Sequence, residues 1–396
     1  MTELEQLCSE AVRRDVERNI ECDPVDVALD KSLCNSRLVA TQVKYLQRAR
    51  TKLPSYYAAR CIIPGRAFEQ SSSEAAATAK QLGGGSVLDL TCGLGVDAWA
   101  LSQRFARVVT LERDETLVAV ARENFGRLGV TNVEVVHSSA EEYLARCEER
   151  FDWIYVDPDR RGADGSKRVV LEDCSPNIVA LWGDLQRVSD NVAIKCSPMF
   201  DCDEAFRLFD GCSVEVVSVG DECKEVVIYA STVGRHSDRI GATSVGRGSV
   251  WLSREEARVG SRPSEFSPTK YSKLVVPDVA LQKCRIVGEV LGAVCDVWSD
   301  NGYGFTTEEQ LAAYDSQRHL CRIFAVEAIV EYEPRRLRRL LAQMGVVRAQ
   351  ILKRDFPYSV AQILKQLKLR EGGVQQLAFT SVGGREWMVI LENSKK

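Results

Sequence analysis

The residues whose types and spacing could do chemistry lie in three places. The first is Asp89-Leu90-Thr91-Cys92-Gly93-Leu94-Gly95-Val96-Asp97. Here an apolar run, Ser86-Val87-Leu88-Asp89-Leu90, breaks at two glycines one residue apart and resumes as Val96-Asp97-Ala98-Trp99-Ala100-Leu101. A buried strand, a glycine turn and a helix start, in that order, form a ligand cradle. Glycine lets backbone approach a ligand with no Cβ in the way, and a helix N-terminus offers free N–H groups. The second place is Asp157-Pro158-Asp159-Arg160-Arg161-Gly162, a turn whose acid can orient a hydrogen-bond donor and whose arginines can meet a phosphate. The third is Lys195-Cys196-Ser197-Pro198, a thiol beside a cation that can lower its pKa and make it a nucleophile.

Two ligand classes use a cradle of the first kind. Gly93-x-Gly95-x-x-Ala98 fits the loose dinucleotide fingerprint. Asp89 argues against it, because an acid at the strand end sets the wrong charge before a pyrophosphate. S-adenosylmethionine carries no phosphate and presents a cationic ammonium and sulfonium, which that acid favours. Asp89-x-x-x-Gly93-x-Gly95 thus resembles motif I of class I S-adenosylmethionine-dependent methyltransferases. A glycine turn with no ligand would account for the loop alone, but not for the units that follow.

The elements that must position these residues alternate regularly. Strands are expected at Val87–Leu90, Arg107–Glu112, Val133–Val136, Trp153–Asp157 and Asn191–Lys195, with helices at Asp97–Gln103, Glu115–Leu128 and Ser139–Arg146. That pattern predicts an α/β fold, a parallel sheet with helices on both faces and ligands at the carboxyl ends of the strands. Val214–Val219 and Glu225–Ala230 read as a hairpin, which would close the sheet with an antiparallel last strand. Such a Rossmann-like layout differs from the dinucleotide fold and weakens a dehydrogenase reading. In the cradle, Asp89, Thr91, Gly93 and Gly95 would hold the methionine end. Glu112, followed by Arg113, would take the ribose hydroxyls in a charge-assisted bidentate contact. Ser139 or the Ala140 backbone would meet the adenine edge. Gln70, in Phe68-Glu69-Gln70-Ser71-Ser72-Ser73-Glu74, would come back over the methionine end. Asp157 and Arg160 are the candidate catalytic residues, the first orienting an acceptor, the second meeting a phosphate or a flipped base.

Composition sets bounds. The 396 residues carry 45% hydrophobic and 27% charged side chains, as soluble globular proteins do, and the net charge of −4 gives no global pull toward nucleic acid or membrane. Met1–Gln6 has neither a basic run nor an apolar core, and no apolar run reaches membrane-span length, so neither secretion nor a membrane partner is expected. The fourteen cysteines include no C-x-x-C pair and read as reduced thiols of a cytoplasmic protein. The three histidines show no metal spacing, and no metal is expected.

Four regions follow: a helical region over residues 1–65 packed on the next domain, the sheet domain with hairpin extension and linker over 66–262, a small α/β domain over 263–321, and a last unit over 322–396. Within the third, a strand at Lys273–Pro277 leads into a helix from Asp278 through Val290. In the last unit, Glu331 to Arg370 holds ten basic residues against three acidic ones. Arg335, Arg336, Arg338, Arg339, Lys353 and Arg354, with Phe356 and Tyr358 beside the last pair, suit phosphate contacts by charge and bases by stacking, hence an RNA partner.

Taken together the chain resembles class I methyltransferases with a C-terminal THUMP-like domain. The residues that carry the resemblance are Lys52-Leu53-Pro54, Glu69–Glu74, Asp89–Asp97, Asp157–Arg161, Lys195–Pro198, Glu222-Cys223-Lys224-Glu225 and Lys353-Arg354-Asp355-Phe356-Pro357. The resemblance implies a methyltransferase core, a ferredoxin-like unit at 263–321, a THUMP-like end and an RNA substrate. Three rivals stand beside it. In RNA 5-methyluridine methyltransferases, which Asp-Pro-x-Arg-x-Gly also resembles, a cysteine in the position of Cys196 attacks the pyrimidine. The others are a non-catalytic RNA-binding protein that keeps the cofactor fold, and a dehydrogenase.

Overall fold

A computed structural model describes residues 3–33, 35–159, 171–231, 238–258, 262–313 and 320–392. The chain divides into two compact units, Met1–Val214 with Lys224–Ser237, and Glu215–Cys223 with Asp238–Lys396. No helix of the described residues is long and apolar enough to cross a membrane.

In the first unit the strands are β1 (Gly84–Asp89), β2 (Phe105–Glu112), β3 (Val133–His137), β4 (Trp153–Val156) and β5 (Asn191–Cys196). β6 (Ser213–Val219) carries the chain out of this unit and β7 (Glu222–Ser231) brings it back. The sheet order here is β3-β2-β1-β4-β5-β7. β1 to β5 are parallel, and β7 runs antiparallel to β5, with Cys196 opposite Val226 and Asn191 opposite Ser231. Helices cover both faces, so the strands read as nearly continuous apolar runs: Val87, Leu88, Ile154, Val156, Val192 and Ile194 are all completely buried. Local chemistry sets the helix ends. Asp114 accepts from the N–H groups of Thr116 (2.9 Å) and Leu117 (3.1 Å) at the start of Glu115–Arg127, and Gly129 follows that helix in the left-handed region.

The expected N-terminal helices form and share a core with the sheet domain. Helix Ser36–Lys52 buries Val39, Val43, Leu46 and Ala49 at helical spacing, in one cluster with Leu94, Val96, Ala100 and Val120. Polar pins fix the contact. Asn124 accepts from the Ile62 N–H (2.8 Å) and donates to the Ile62 carbonyl (2.8 Å), while Gln42 does the same for Ile63.

The second unit contains the remainder of β6 with β8 (Arg239–Ser244) and β9 (Gly248–Ser253), ordered β6-β8-β9; the expected hairpin turns at Gly246. A seven-stranded sheet uses β10 (Lys273–Pro277), β11 (Asp296–Val297), β12 (Gly304–Thr306), β13 (Cys321–Glu331), β14 (Arg348–Lys353), β15 (Arg370–Val382) and β16 (Arg385–Leu391), in the order β11-β12-β10-β13-β16-β15-β14. The sequence suggests separate domains at 263–321 and 322–396; their strands instead join in one sheet. The long β13 is the reason. Its first half pairs with β10 and its second half with β16. The helix expected from Asp278 through Val290 is two helices, Val279–Cys284 and Val287–Leu291, broken at Arg285 with φ 59°. Helices Pro334–Gln343 and Val360–Leu367 bury Leu337, Leu341, Ile363 and Leu367 against Phe379, Met388 and Ile390.

The Asn124 pin can be tested. Asn124→Ala strands a buried N–H and a buried C=O of Ile62, and urea denaturation should show a loss of about 3 kcal/mol; a loss below about 0.5 kcal/mol would mean the pin is dispensable.

Candidate active site

The glycine loop runs from the end of β1 to helix Val96–Ser102. Its two glycines have different duties. Gly93 has φ 55°, and a Cβ there would meet nothing within 4 Å, so its front is open for a ligand. Gly95 has φ 86°, and a Cβ would come within 2.9 Å of Phe125 Cζ, so it serves close helix packing. Glu112, half-buried at the end of β2, accepts from the Gly93 N–H (2.8 Å) through one oxygen and from the Asp114 N–H (2.9 Å) through the other. Each carboxylate oxygen has two lone pairs, so ribose hydroxyls can still be received. Exposed Arg113 reaches Ser175 Oγ (3.3 Å).

Asp89 lies one layer deeper than the sequence reading placed it. It is fully buried, accepting from Thr110 Oγ1 (2.6 Å) and from the Thr91 N–H (3.0 Å). Burial raises its pKa to about 7, against the lowering effect of those two bonds. It holds the loop through the Thr91 N–H and ties it to Thr110 of β2. Thr91 links both sides of the site, its Oγ1 accepting from the Asp157 N–H (2.7 Å).

Ser139 Oγ accepts from the Glu142 N–H in a capping box, which leaves its O–H free to donate, and Ala140 is buried. Gln70 ends helix Gly65–Gln70 with its side chain exposed. Its segment does reach the cradle, but through Ser72, whose Oγ donates to Asp97 (2.9 Å).

At the acceptor corner, Asp157 follows β4 and pairs with Lys195 of β5 through Oδ2. Arg160 lies outside the described residues. Lys195 is only 11% exposed; burial penalises its ammonium, but the charges of Asp157 and Asp97 outweigh this and raise its pKa. Asp97 sits 3.6 Å from Lys195 and 2.7 Å from Lys80, whose Nζ is 2.9 Å from Glu225. The result is a buried chain of alternating charge, Glu225–Lys80–Asp97–Lys195–Asp157. No role for Asp97, Lys80 or Glu225 follows from sequence spacing, because the partners come from separate elements. Cys196, next along β5, points to the opposite face from Lys195, is buried, and has Sγ 4.0 Å from the Ile194 carbonyl.

In the second unit Arg335, Arg336 and Arg339 line an open cleft of about 810 Å³, with Glu327, Glu333 and Gln343. Arg338 folds back, its Nε donating to the Pro334 carbonyl (3.2 Å). Lys353 is exposed. Arg354 is half-buried and its Nη1 donates to the Pro277 carbonyl (2.9 Å), an anchor within the unit. Phe356, expected beside a base, is a core residue 5.1 Å from Tyr332.

A parallel sheet closed by an antiparallel strand, with a glycine cradle at the strand ends, defines a class I methyltransferase core. The chain matches the family model of a methyltransferase domain over residues 87–159 and that of a THUMP domain-like unit over residues 321–393. It is similar to an uncharacterised S-adenosylmethionine-dependent methyltransferase of Mycobacterium tuberculosis, 26% identical over 350 residues, 85% of this chain and 90% of that protein. Over 106 residues, 24% of each chain, it is 38% identical to the 23S rRNA (uracil(1939)-C(5))-methyltransferase RlmD of Klebsiella pneumoniae. A crystal structure of a candidate methyltransferase from Porphyromonas gingivalis W83 superimposes over 100% of both chains with a TM-score of 0.81 at 26% identity. The chain is an S-adenosylmethionine-dependent methyltransferase with a C-terminal THUMP-like domain.

Two substitutions separate the cradle's duties. Gly93→Ala places a methyl group in the open front at about 1 kcal/mol of backbone strain; calorimetry should show S-adenosylmethionine affinity falling at least about tenfold, and unchanged affinity would place the ligand elsewhere. Asp89→Asn removes the charge, keeps the bond from the Thr91 N–H through its amide oxygen and turns its NH2 toward Thr110 Oγ1 as a donor. The folded pKa of Asp89 lies above the unfolded value of about 3.9, so its stabilising contribution is complete below that pH and is lost as pH rises through about 7, a difference on the order of 4 kcal/mol. Relative to wild type, Asp89→Asn should gain stability between about pH 4 and about pH 8 in urea denaturation; a constant difference would show that Asp89 does not titrate there.

Proposed function

We propose that this methyltransferase acts in the cytoplasm on a base of RNA. The observation that carries the reading is the basic cleft. Helix Pro334–Gln343 buries Leu337 and Leu341, which turns Arg335, Arg336 and Arg339 outward into one cleft on a chain of net charge −4. A local concentration of guanidinium groups on an otherwise acidic protein suits a polyanion. The THUMP-like match over residues 321–393 and the likeness of part of the chain to RNA-modifying relatives support the same reading.

The residues of the cradle fit S-adenosylmethionine: an open glycine front, a carboxylate with spare lone pairs at the ribose position, and a helix start behind. Bound there, it would supply an electrophilic methyl group. The chain's own part is positioning. Gly93 and Gly95 give backbone access, and Glu112 holds the loop while facing the ribose. Asp157, 29% exposed, keeps Oδ1 clear of any described partner and can accept a hydrogen bond from a base N–H. A second reading, methylation of pyrimidine C5 with Cys196 as nucleophile, draws on the likeness to the uracil-C5 enzyme. The burial of Cys196 on the face away from Asp157 favours the first.

RNA binding should depend on the cleft. Replacing Arg335, Arg336, Arg338 and Arg339 together by Ala should weaken RNA binding and flatten the slope of log affinity against log salt by about two to four, measured by fluorescence anisotropy; an unchanged slope would exclude this surface. Cys196→Ala should retain methyl transfer, and its loss with S-adenosylmethionine binding intact would favour the nucleophilic reading.

A further inference from the structure

We propose that Lys195 is a positioning residue for methyl transfer, fixing the direction in which Asp157 presents its free carboxylate oxygen. The inference rests on the reading of Asp157 as the acceptor-facing group. Three restraints meet on that residue. Its N–H is tied to Thr91 Oγ1 of the glycine loop (2.7 Å), its Oδ2 is paired with Lys195, and its Oδ1 carries no described partner. With the backbone and one oxygen fixed, the second oxygen has one direction left.

Lys195 can hold that geometry because it is itself held. It is buried among carboxylates, with Asp97 3.6 Å away on the far side from Asp157 along the chain of charges. Asp97 opens the helix that follows the glycine loop and is fixed by Lys80 (2.7 Å) and Ser72 (2.9 Å). Glu225 terminates the chain at Lys80 (2.9 Å). The cofactor cradle and the acceptor corner therefore share one set of ion pairs, so the carboxylate is aligned to the same frame as the loop that holds the methyl donor.

A chain of charges that merely filled the interior would be closed at both ends. This one is not. Lys80 and Glu225 are 3% and 2% exposed, whereas Asp157 at the other end is 29% exposed. The buried ions lead to a single carboxylate that reaches solvent, at the strand end where ligands of such sheets bind. Long polar side chains are replaceable where they only pack; here a cation of defined reach is required.

The test uses the full chain, S-adenosylmethionine carrying a labelled methyl group, and total RNA and total protein from a strain lacking this protein as parallel acceptors. Lys195→Met should lower kcat at least about 100-fold while the Kd for S-adenosylmethionine, by calorimetry, stays within about twofold; Lys195→Arg, which keeps the charge, should recover to within about tenfold of wild type. Retained kcat in Lys195→Met overturns the proposal. So does an equal loss of cofactor affinity that Lys195→Arg fails to restore, since that marks a structural role. If Lys195→Met does not fold, Lys195→Gln, which removes the charge but keeps a polar side chain, decides: a reduced kcat with unchanged cofactor affinity supports positioning, and an unchanged kcat opposes it. Label entering protein instead of RNA overturns the RNA reading while the Lys195 variants are read on that acceptor. A wild type that labels neither removes the group Asp157 would position and overturns both.

Discussion

Two ammonium groups, those of Lys80 and Lys195, can stay inside the methyltransferase core only because carboxylates surround them. Removing an ion from water costs several kcal/mol unless an opposite charge meets it at close range. Asp97 sits between the two lysines, Glu225 covers one end and Asp157 the other. That requirement fixes much else. The helix after the glycine loop must start where Asp97 reaches both lysines, Ser72 must approach from the preceding segment, and β5 must lie beside β4 so that Lys195 meets Asp157. The cradle is thereby built from several segments held to one another by charge, rather than from one loop.

The glycine loop itself is held by hydrogen bonds. Glu112 takes the Gly93 N–H, Thr91 takes the Asp157 N–H, and Asp89 is spent below the surface on Thr91 and Thr110. The second unit works differently. Its basic helix is fixed by an apolar face, and the charges that matter there are those left without interior work. Arg354 illustrates the distinction: adjacent in sequence to exposed Lys353, it is consumed as an anchor to Pro277.

What could be read from the sequence was local. The order of strands and helices in the first unit and the Gly93–Gly95 turn announce themselves by short-range periodicity or by residue type. What could not be read depends on partners far along the chain. Asp89 has the right spacing for a strand-end acid, but whether its side chain faces ligand or core turns on one residue of strand phase. Lys80, Asp97, Lys195 and Glu225 have no common period, so their chain emerges only once four elements are brought together. The break at Arg285 carries no glycine or proline to signal it, and the sharing of β13 between β10 and β16 is a matter of sheet pairing that hydropathy does not encode. Phe356 looked like a stacking platform because aromatic and basic neighbours are compatible with either core or contact.

On the proposed reading, a nitrogen-bearing base edge of RNA, presented to Asp157, receives the methyl group. The most direct test of this reading is nucleoside analysis of RNA from a strain lacking this protein, after incubation with the purified chain and labelled S-adenosylmethionine. Label is expected in a nitrogen-methylated nucleoside and is lost when Asp157 is replaced by Ala. Label in 5-methyluridine, or transfer that survives Asp157→Ala at full rate, would contradict it.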